Sequence, residues 1–265
     1  MMFARLPDFS GPGVQKVTPL NPRKQQYRIA MVSTFPPQKC GLATFASDVV
    51  EQVTRHNEKV AFDVWAMARS GEALPGTVAG SIAADDATSY RAAAERINAT
   101  ALDALWLQHE FGIFGGRDGE FILDFVDRVA APLIVTFHTV LEHPSDNQRR
   151  IVDHLVRRAS RIMVMSPLSR QRLIDQHHAP CELVDVVEHG APDRAFGREA
   201  DFKAALGLSD RPVLMTFGLL GPGKGLETAI EALPAIVKAH PGVIYRIVGA
   251  THPNLVAAEG ETYRL

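Results

Sequence analysis

Pro212-Val213-Leu214-Met215-Thr216-Phe217 is an apolar run of strand length, and it opens directly into Gly218-Leu219-Leu220-Gly221-Pro222-Gly223-Lys224-Gly225-Leu226. A helical pattern from Glu227 to Ala239 follows. Glycines let a backbone come close to an anion, the first amides of a helix have no intrahelical acceptor, and an ammonium adds a full positive charge. This strand, turn and helix therefore form a phosphate-binding unit, and a phosphorylated small molecule is the expected ligand. A second apolar run, Val243 to Val248, ends in Gly249-Ala250, and the given sequence stops at Leu265. That predicts two strands of a domain type that commonly carries five or six, so the domain is expected to be incomplete, with an uncovered apolar face on Val213, Leu214, Ile244 and Ile247.

Upstream the same alternation is longer. Strands are predicted at Arg28–Ser33, Val60–Ala66, Ala104–Gln108, Leu133–Phe137, Arg161–Met165 and Leu183–Val187. Helices fall between them at Leu42–Asn57, Tyr90–Ala99, Glu120–Ala130, Asp146–Ala159 and Ser169–His177. Short β-branched runs alternating with amphipathic ones imply a parallel sheet covered by helices on both faces. The expected class is α/β, an N-terminal Rossmann-like doubly wound parallel sheet followed by the first part of a second Rossmann-like domain. A proline-rich lead-in occupies residues 1–27, the first domain 28–195, and the second 196–265 with a short helix at Asp201–Leu206.

The bulk numbers narrow the function. With 46% hydrophobic and 22% charged residues the chain has globular composition, and a net charge of −2 supplies no field for nucleic acid. The two cysteines, Cys40 and Cys181, have no paired spacing and no apolar leader precedes Gly11, which leads us to expect free thiols and a cytoplasmic location, with peripheral membrane attachment left open. The apolar runs are strand-length, well short of the ~20 residues of a spanning helix. His177-His178 with Cys181 lacks the i, i+4 facing of helical metal ligands and has no carboxylate spaced to help, so we expect a solvated helix end and no metal site. Ser166-Pro167-Leu168-Ser169 reads as a helix entry.

Ligands of open parallel sheets bind beyond the carboxyl ends of the strands. Three loops of the first domain lie there. Phe35-Pro36-Pro37-Gln38-Lys39-Cys40-Gly41 brings a glycine to the mouth of a helix, where a phosphate or sugar can sit; an ordinary strand-to-helix turn explains it as well. Gln108-His109-Glu110-Phe111-Gly112 offers directional donors and acceptors for sugar hydroxyls, unless His109 and Glu110 merely pair to satisfy a buried loop. Thr136-Phe137-His138-Thr139 places His138 at a strand's end, able to bond a ligand or to shuttle a proton near neutral pH, with a structural histidine as the alternative.

Gly218, Gly223 and Lys224 match most of a nucleotide-binding P-loop, but Gly225 stands where that loop needs a serine or threonine for magnesium, which disfavours an NTPase. Taken in order, the Pro36-Pro37 to Gly41 loop, Thr136-Phe137-His138-Thr139, His189-Gly190-Ala191-Pro192-Asp193, Phe217-Gly218 through Lys224-Gly225, and Ile247-Val248-Gly249 form a specific set. From Arg28 onward the chain resembles the retaining nucleotide-sugar glycosyltransferases of family 4, whose GT-B fold pairs two Rossmann-like domains across a donor cleft.

The resemblance implies a hexose moved from a nucleoside-diphosphate sugar to a hydroxyl acceptor, a saccharide or lipid-linked glycan, with no cofactor besides the donor. It implies that Lys224 binds the donor diphosphate together with Gly41, Gly218, Gly223 and Gly225. His138 is then the catalytic-site histidine on the transferred sugar, and Gln108, His109 and Glu110 are sugar or acceptor contacts. Leu219 stands where family members commonly place an arginine, removing one of two phosphate cations. The family's glutamate-bearing segment would fall past Leu265, so this stretch alone is expected to lack turnover. A non-catalytic saccharide-binding or regulatory module is the alternative.

Overall fold

The computed structural model of the chain describes residues 26–69, 76–251 and 253–265. Most of the expected lead-in, residues 1–25, lies outside them. The chain divides into two compact units, residues 1–189 and 190–265, a few residues before the expected boundary at 195.

In the first unit, strands β1 (Tyr27–Ser33), β2 (Val60–Ala68), β3 (Gly80–Ala83), β4 (Ala104–His109), β5 (Leu133–Phe137), β6 (Arg161–Val164) and β7 (Val184–Val186) form one parallel sheet in the order β3-β2-β1-β4-β5-β6-β7. The connecting helices are α1 (Gly41–His56), α2 (Ala87–Asn98), α3 (Phe121–Arg128), α4 (Asp146–Arg158) and α5 (Pro167–His177). Every strand and helix expected in this unit is present within a few residues. Strand β3 is the addition. Its four residues, Gly80-Ser81-Ile82-Ala83, carry one fully buried side chain, Ile82, and sit at the sheet edge, too short to show a period.

The core follows strand parity. Ala30, Val32, Leu105, Leu107, Leu133, Val135, Phe137, Ile162 and Val164 point to one face and pack with Tyr90, Ile97, Ile122, Phe125, Ile151 and Leu155 of α2, α3 and α4. On the other side Met31 of β1 is buried, as are Ala43 and Ala46 of α1. Local chemistry sets the helix starts. Ser145 and Gln148 form a reciprocal capping box at α4, and Ser166 Oγ accepts from Ser169 N at 3.1 Å with Pro167 in the first turn of α5.

The carboxyl end of α5 corrects one expectation. His177 is buried rather than solvated, and its Nδ1–H donates to Asp153 of α4 at 2.7 Å. The carboxylate partner lies one helix away, where sequence spacing does not show it.

The second unit holds α6 (Glu199–Ala205), β8 (Val213–Phe217), α7 (Leu226–Ala239), β9 (Ile244–Val248) and α8 (Pro253–Glu259), a helix not anticipated from the sequence. Among the described residues β8 and β9 form a two-stranded parallel sheet. No helix among them is long and apolar enough to cross a membrane.

Candidate functional site

The strand order fixes where a ligand can enter the first unit. From β1 the chain winds outward through β2 to β3, whereas from β4 it winds the opposite way through β5 and β6 to β7, so the connections of β1 and β4 diverge between adjacent strands. Such a switch point leaves a crevice beyond the carboxyl ends of the strands. Here those ends bring Ser33 and Thr34, the turn leading to Gly41, and Gln108 to Glu110 together with the β5 end at His138.

Strand alternation then separates residues that the sequence reading had grouped. Gln108 pairs in register with Thr136 and lies on the α1 side of the sheet; His109 pairs with Phe137 and lies on the opposite side. His109 is fully buried, with ring contacts to Phe111, Phe114 and Phe137 at 4.9, 5.9 and 5.2 Å, and neither ring nitrogen has a hydrogen-bond partner. Burial, reinforced by the nearby His138, pushes its pKa down to about 3. A neutral imidazole enclosed by phenylalanines does not reach a sugar, so His109 is removed from the expected contacts. It does not pair with Glu110 either. Glu110 caps the turn at Phe111, accepting from Phe111 N at 3.0 Å, and accepts from Thr139 Oγ1 at 2.5 Å, which ties the β4 and β5 loops together.

His138 sits on the α1 side. Its Nε2 lies 2.9 Å from Oε1 of the fully buried Gln108, and Phe45 of α1 packs edge-on against it at 4.9 Å and 84°. Phe45 also meets His189 edge-on at 5.2 Å, and the two imidazole centroids lie 6.4 Å apart. Desolvation, followed by the neighbouring His189, holds His138 well below the ordinary histidine range, at about 4. The ring is therefore neutral at pH 7. That makes it a hydrogen-bonding group and a poor proton shuttle, which overturns half of what its position suggested. Phe45 was missed by sequence reasoning, although its i, i+4 step from Gly41 was an available signal. His189 was singled out only as part of the segment 189–193, and nothing local announces that its ring comes beside Phe45 and His138.

The β4 loop is held rigidly. Tyr90 Oη donates to Ala84 O at 2.9 Å and accepts from Gly115 N at 2.9 Å, and burial pushes its pKa up to about 12. A Cβ on Gly115 would stand 1.9 Å from Ala84 O. At the β1 end, Gly41 opens α1 in open space, and Cys40 Sγ accepts from Ala43 N at 3.3 Å as the helix cap. Of the first-turn amides of α1, those of Ala43 and Thr44 are taken by Cys40 Sγ and Cys40 O.

In the second unit the loop after β8 has the backbone that its glycines suggest. Gly218 has φ of 131° and Gly225 has φ of 63° as the residue before α7. Pro222–Lys224 makes a 3₁₀ turn, closed by Lys224 N donating to Gly221 O at 2.9 Å. Lys224 is exposed, and no ion pair or hydrogen bond of its ammonium occurs among the described residues. Glu227, in the first turn of α7, bonds its own amide and then Tyr263, which holds its carboxyl below the usual range. A phosphate on this helix would have to displace that carboxylate, a competitor the sequence reading did not weigh. Among the described residues no group of three acidic, cysteine or histidine side chains could hold a metal ion.

No family model matches the chain. A solved glycosyltransferase from Rickettsia africae superimposes with a TM-score of 0.57 at 12% identity, covering 89% of this chain and 71% of that one. The fold is that of the GT-B glycosyltransferases. Two curated relatives align at sequence level. One is alpha-D-kanosaminyltransferase of Streptomyces kanamyceticus, 25% identical over 42% of this chain and 33% of its own length. The other is D-inositol 3-phosphate glycosyltransferase of Segniliparus rotundus, 27% identical over 51% of this chain and 33% of its own length. The aligned stretches thus span a third of either relative. The switch-point residues and the glycine loop lie in separate units, each with its own parallel sheet.

Proposed function

We propose that the chain is part of a retaining GT-B glycosyltransferase that moves a hexose from a nucleoside-diphosphate sugar to a hydroxyl acceptor. The observation that carries this reading is His138. A neutral imidazole stands at the carboxyl end of β5, beside the switch point, seated on a buried glutamine and next to a loop bearing Glu110. Neutral acceptors and a carboxylate suit the hydroxyls of an uncharged sugar better than they suit a phosphate. Both curated relatives carry names of glycosyl-transferring enzymes, which supports sugar transfer as the reaction class.

In this reading the diphosphate belongs to the loop 218–225. Gly218, Gly223 and Gly225 admit close approach, the first amides of α7 receive the anion once it displaces the Glu227 carboxylate, and Lys224 neutralises charge as the sugar–phosphate bond breaks. Gly41 at the mouth of α1 offers a second set of amides. His138 bonds the transferred hexose and Gln108 holds His138, while Glu110 orients hydroxyls. No side chain needs to act as a nucleophile. The acceptor hydroxyl enters on the face from which the diphosphate leaves, the departing phosphate takes its proton, and the anomeric configuration is kept. No cofactor or metal is called for beyond the donor.

Titration calorimetry with UDP-glucose, UDP-N-acetylglucosamine and GDP-mannose tests the reading. We expect one donor to bind, and Lys224→Ala to weaken it by about ten- to a hundredfold, the loss of one charge-assisted contact. Failure of all three to bind, or an affinity indifferent to Lys224→Ala, would defeat it.

A further inference from the structure

We propose that Gln108 is a positioning residue: it accepts the Nε2 proton of His138, fixes that ring in one tautomer, and leaves Nδ1 as a lone-pair acceptor for a sugar hydroxyl. The hydroxyl rests on the function proposed above; the tautomer does not.

The placement of the Gln108 amide oxygen toward the ring carries the assignment. Gln108 is fully buried, and its Oε1 stands 2.9 Å from His138 Nε2. Were the ring proton on Nδ1, two lone pairs would face each other at that distance. Phe45, edge-on at 4.9 Å and 84°, blocks the ring from tilting away. The main chain beneath the ring is anchored by His138 N donating to His109 O at 3.0 Å. Nδ1 has no partner among the described residues and is not among their buried unsatisfied atoms. It is the one polar atom of the ring left for a ligand.

The Gln108 amide nitrogen is buried without a partner, as is Ser33 Oγ at the end of the adjacent β1. A glutamine that leaves half of its own hydrogen-bonding capacity unmet while engaging a histidine is costly as a packing residue. That cost is explicable if its task is to orient the ring. The consequence for recognition is a sign. With Nδ1 an acceptor and the Glu110 carboxylate on the adjoining loop, the end of β5 favours donors, so a hydroxyl suits Nδ1 where a uronate carboxylate or a phosphate does not.

Imidazole nitrogen–proton correlation spectra of the whole chain, labelled with ¹⁵N-histidine and assigned by His138→Asn, read the tautomer without any sugar present. We expect His138 to show the Nε2–H pattern with a proton protected from exchange. Gln108→Met should speed that exchange by about tenfold or more, the loss of one buried hydrogen bond, while Gln108→Glu, which keeps an acceptor in place, should preserve the Nε2–H form. An Nδ1–H pattern in the unaltered chain overturns the proposal even if Gln108→Met does not fold, as does an unchanged exchange rate in a folded Gln108→Met. Failure of donor binding with the Nε2–H pattern intact would count against the proposed function alone.

Discussion

At the scale of single residues, Gln108 and His109 show what adjacency in sequence conceals. Both end the same strand, and the loop composition invites reading them as one hydrogen-bonding set. A period of two sends them to opposite faces of the sheet, Gln108 toward His138 and His109 into a phenylalanine cage. The alternation was legible in Ala104 to His109, where Leu105 and Leu107 already mark the core face that His109 shares. What no sequence shows is that both nitrogens of His109 go unpaired. Its burial has a pH signature. The unfolded chain binds a proton at His109 below about pH 6.5, and the folded chain only near 3, so stability is whole above pH 6.5 and falls as the pH drops through the interval. His138 acts in the same direction down to about pH 4. Replacing His109→Leu should flatten urea-unfolding free energies between pH 6.5 and 4, and should raise stability at pH 7 by about 1–2 kcal/mol by removing two unpaired buried atoms. Equal pH slopes for the two proteins would refute this account of His109.

At the scale of elements, the strands and helices of the first unit were readable because each buries a regular stripe, while β3 and α8 were not. Strand β3 is specified by its neighbour more than by itself. A Cβ on Gly80 would meet the Trp65 ring at 2.5 Å, so the glycine is the gap that the β2 tryptophan fills. The loop after β4 is likewise fixed by a distant side chain, Tyr90 of α2, which bridges Ala84 O and Gly115 N. Tyr90→Phe strips a partner from two buried backbone groups and should cost about 2–4 kcal/mol. Gly115→Ala forces a methyl into Ala84 O and should cost at least as much. Amide exchange makes the two effects specific: in Tyr90→Phe the Gly115 amide should lose protection, while amides of β5 keep theirs in proportion to the global change. Uniform loss across the sheet would mean that Tyr90 supports the core in general and does not hold this loop.

At the scale of the whole molecule, the alternation of apolar runs was enough to yield a doubly wound sheet with its candidate loops at the carboxyl ends of the strands, whereas the switch point came only with the observed strand order. The second unit was legible as strand, glycine loop and helix, yet its stability is a different matter. The contiguous hydrophobic core lies wholly between Ala30 and Val184. In residues 190–265, by contrast, Leu214, Met215 and Phe217 of β8 and Ile247 and Val248 of β9 are exposed, from 38% for Val248 to 75% for Phe217. Leu214 and Met215 are successive strand residues, so apolar side chains are bare on both faces of this two-stranded sheet. A sheet of two strands without a covered face is marginal in water. We therefore expect a fragment comprising residues 26–189 to unfold cooperatively in urea with the near-ultraviolet signature of its packed aromatics intact, and residues 190–265 alone to show no cooperative transition. Because a parallel pair gains its burial from covering helices, the second fragment should instead bind hydrophobic dyes and associate as its concentration rises. A sharp, reversible, concentration-independent transition in residues 190–265 would show that α7 covers more of β8 and β9 than the exposed side chains indicate.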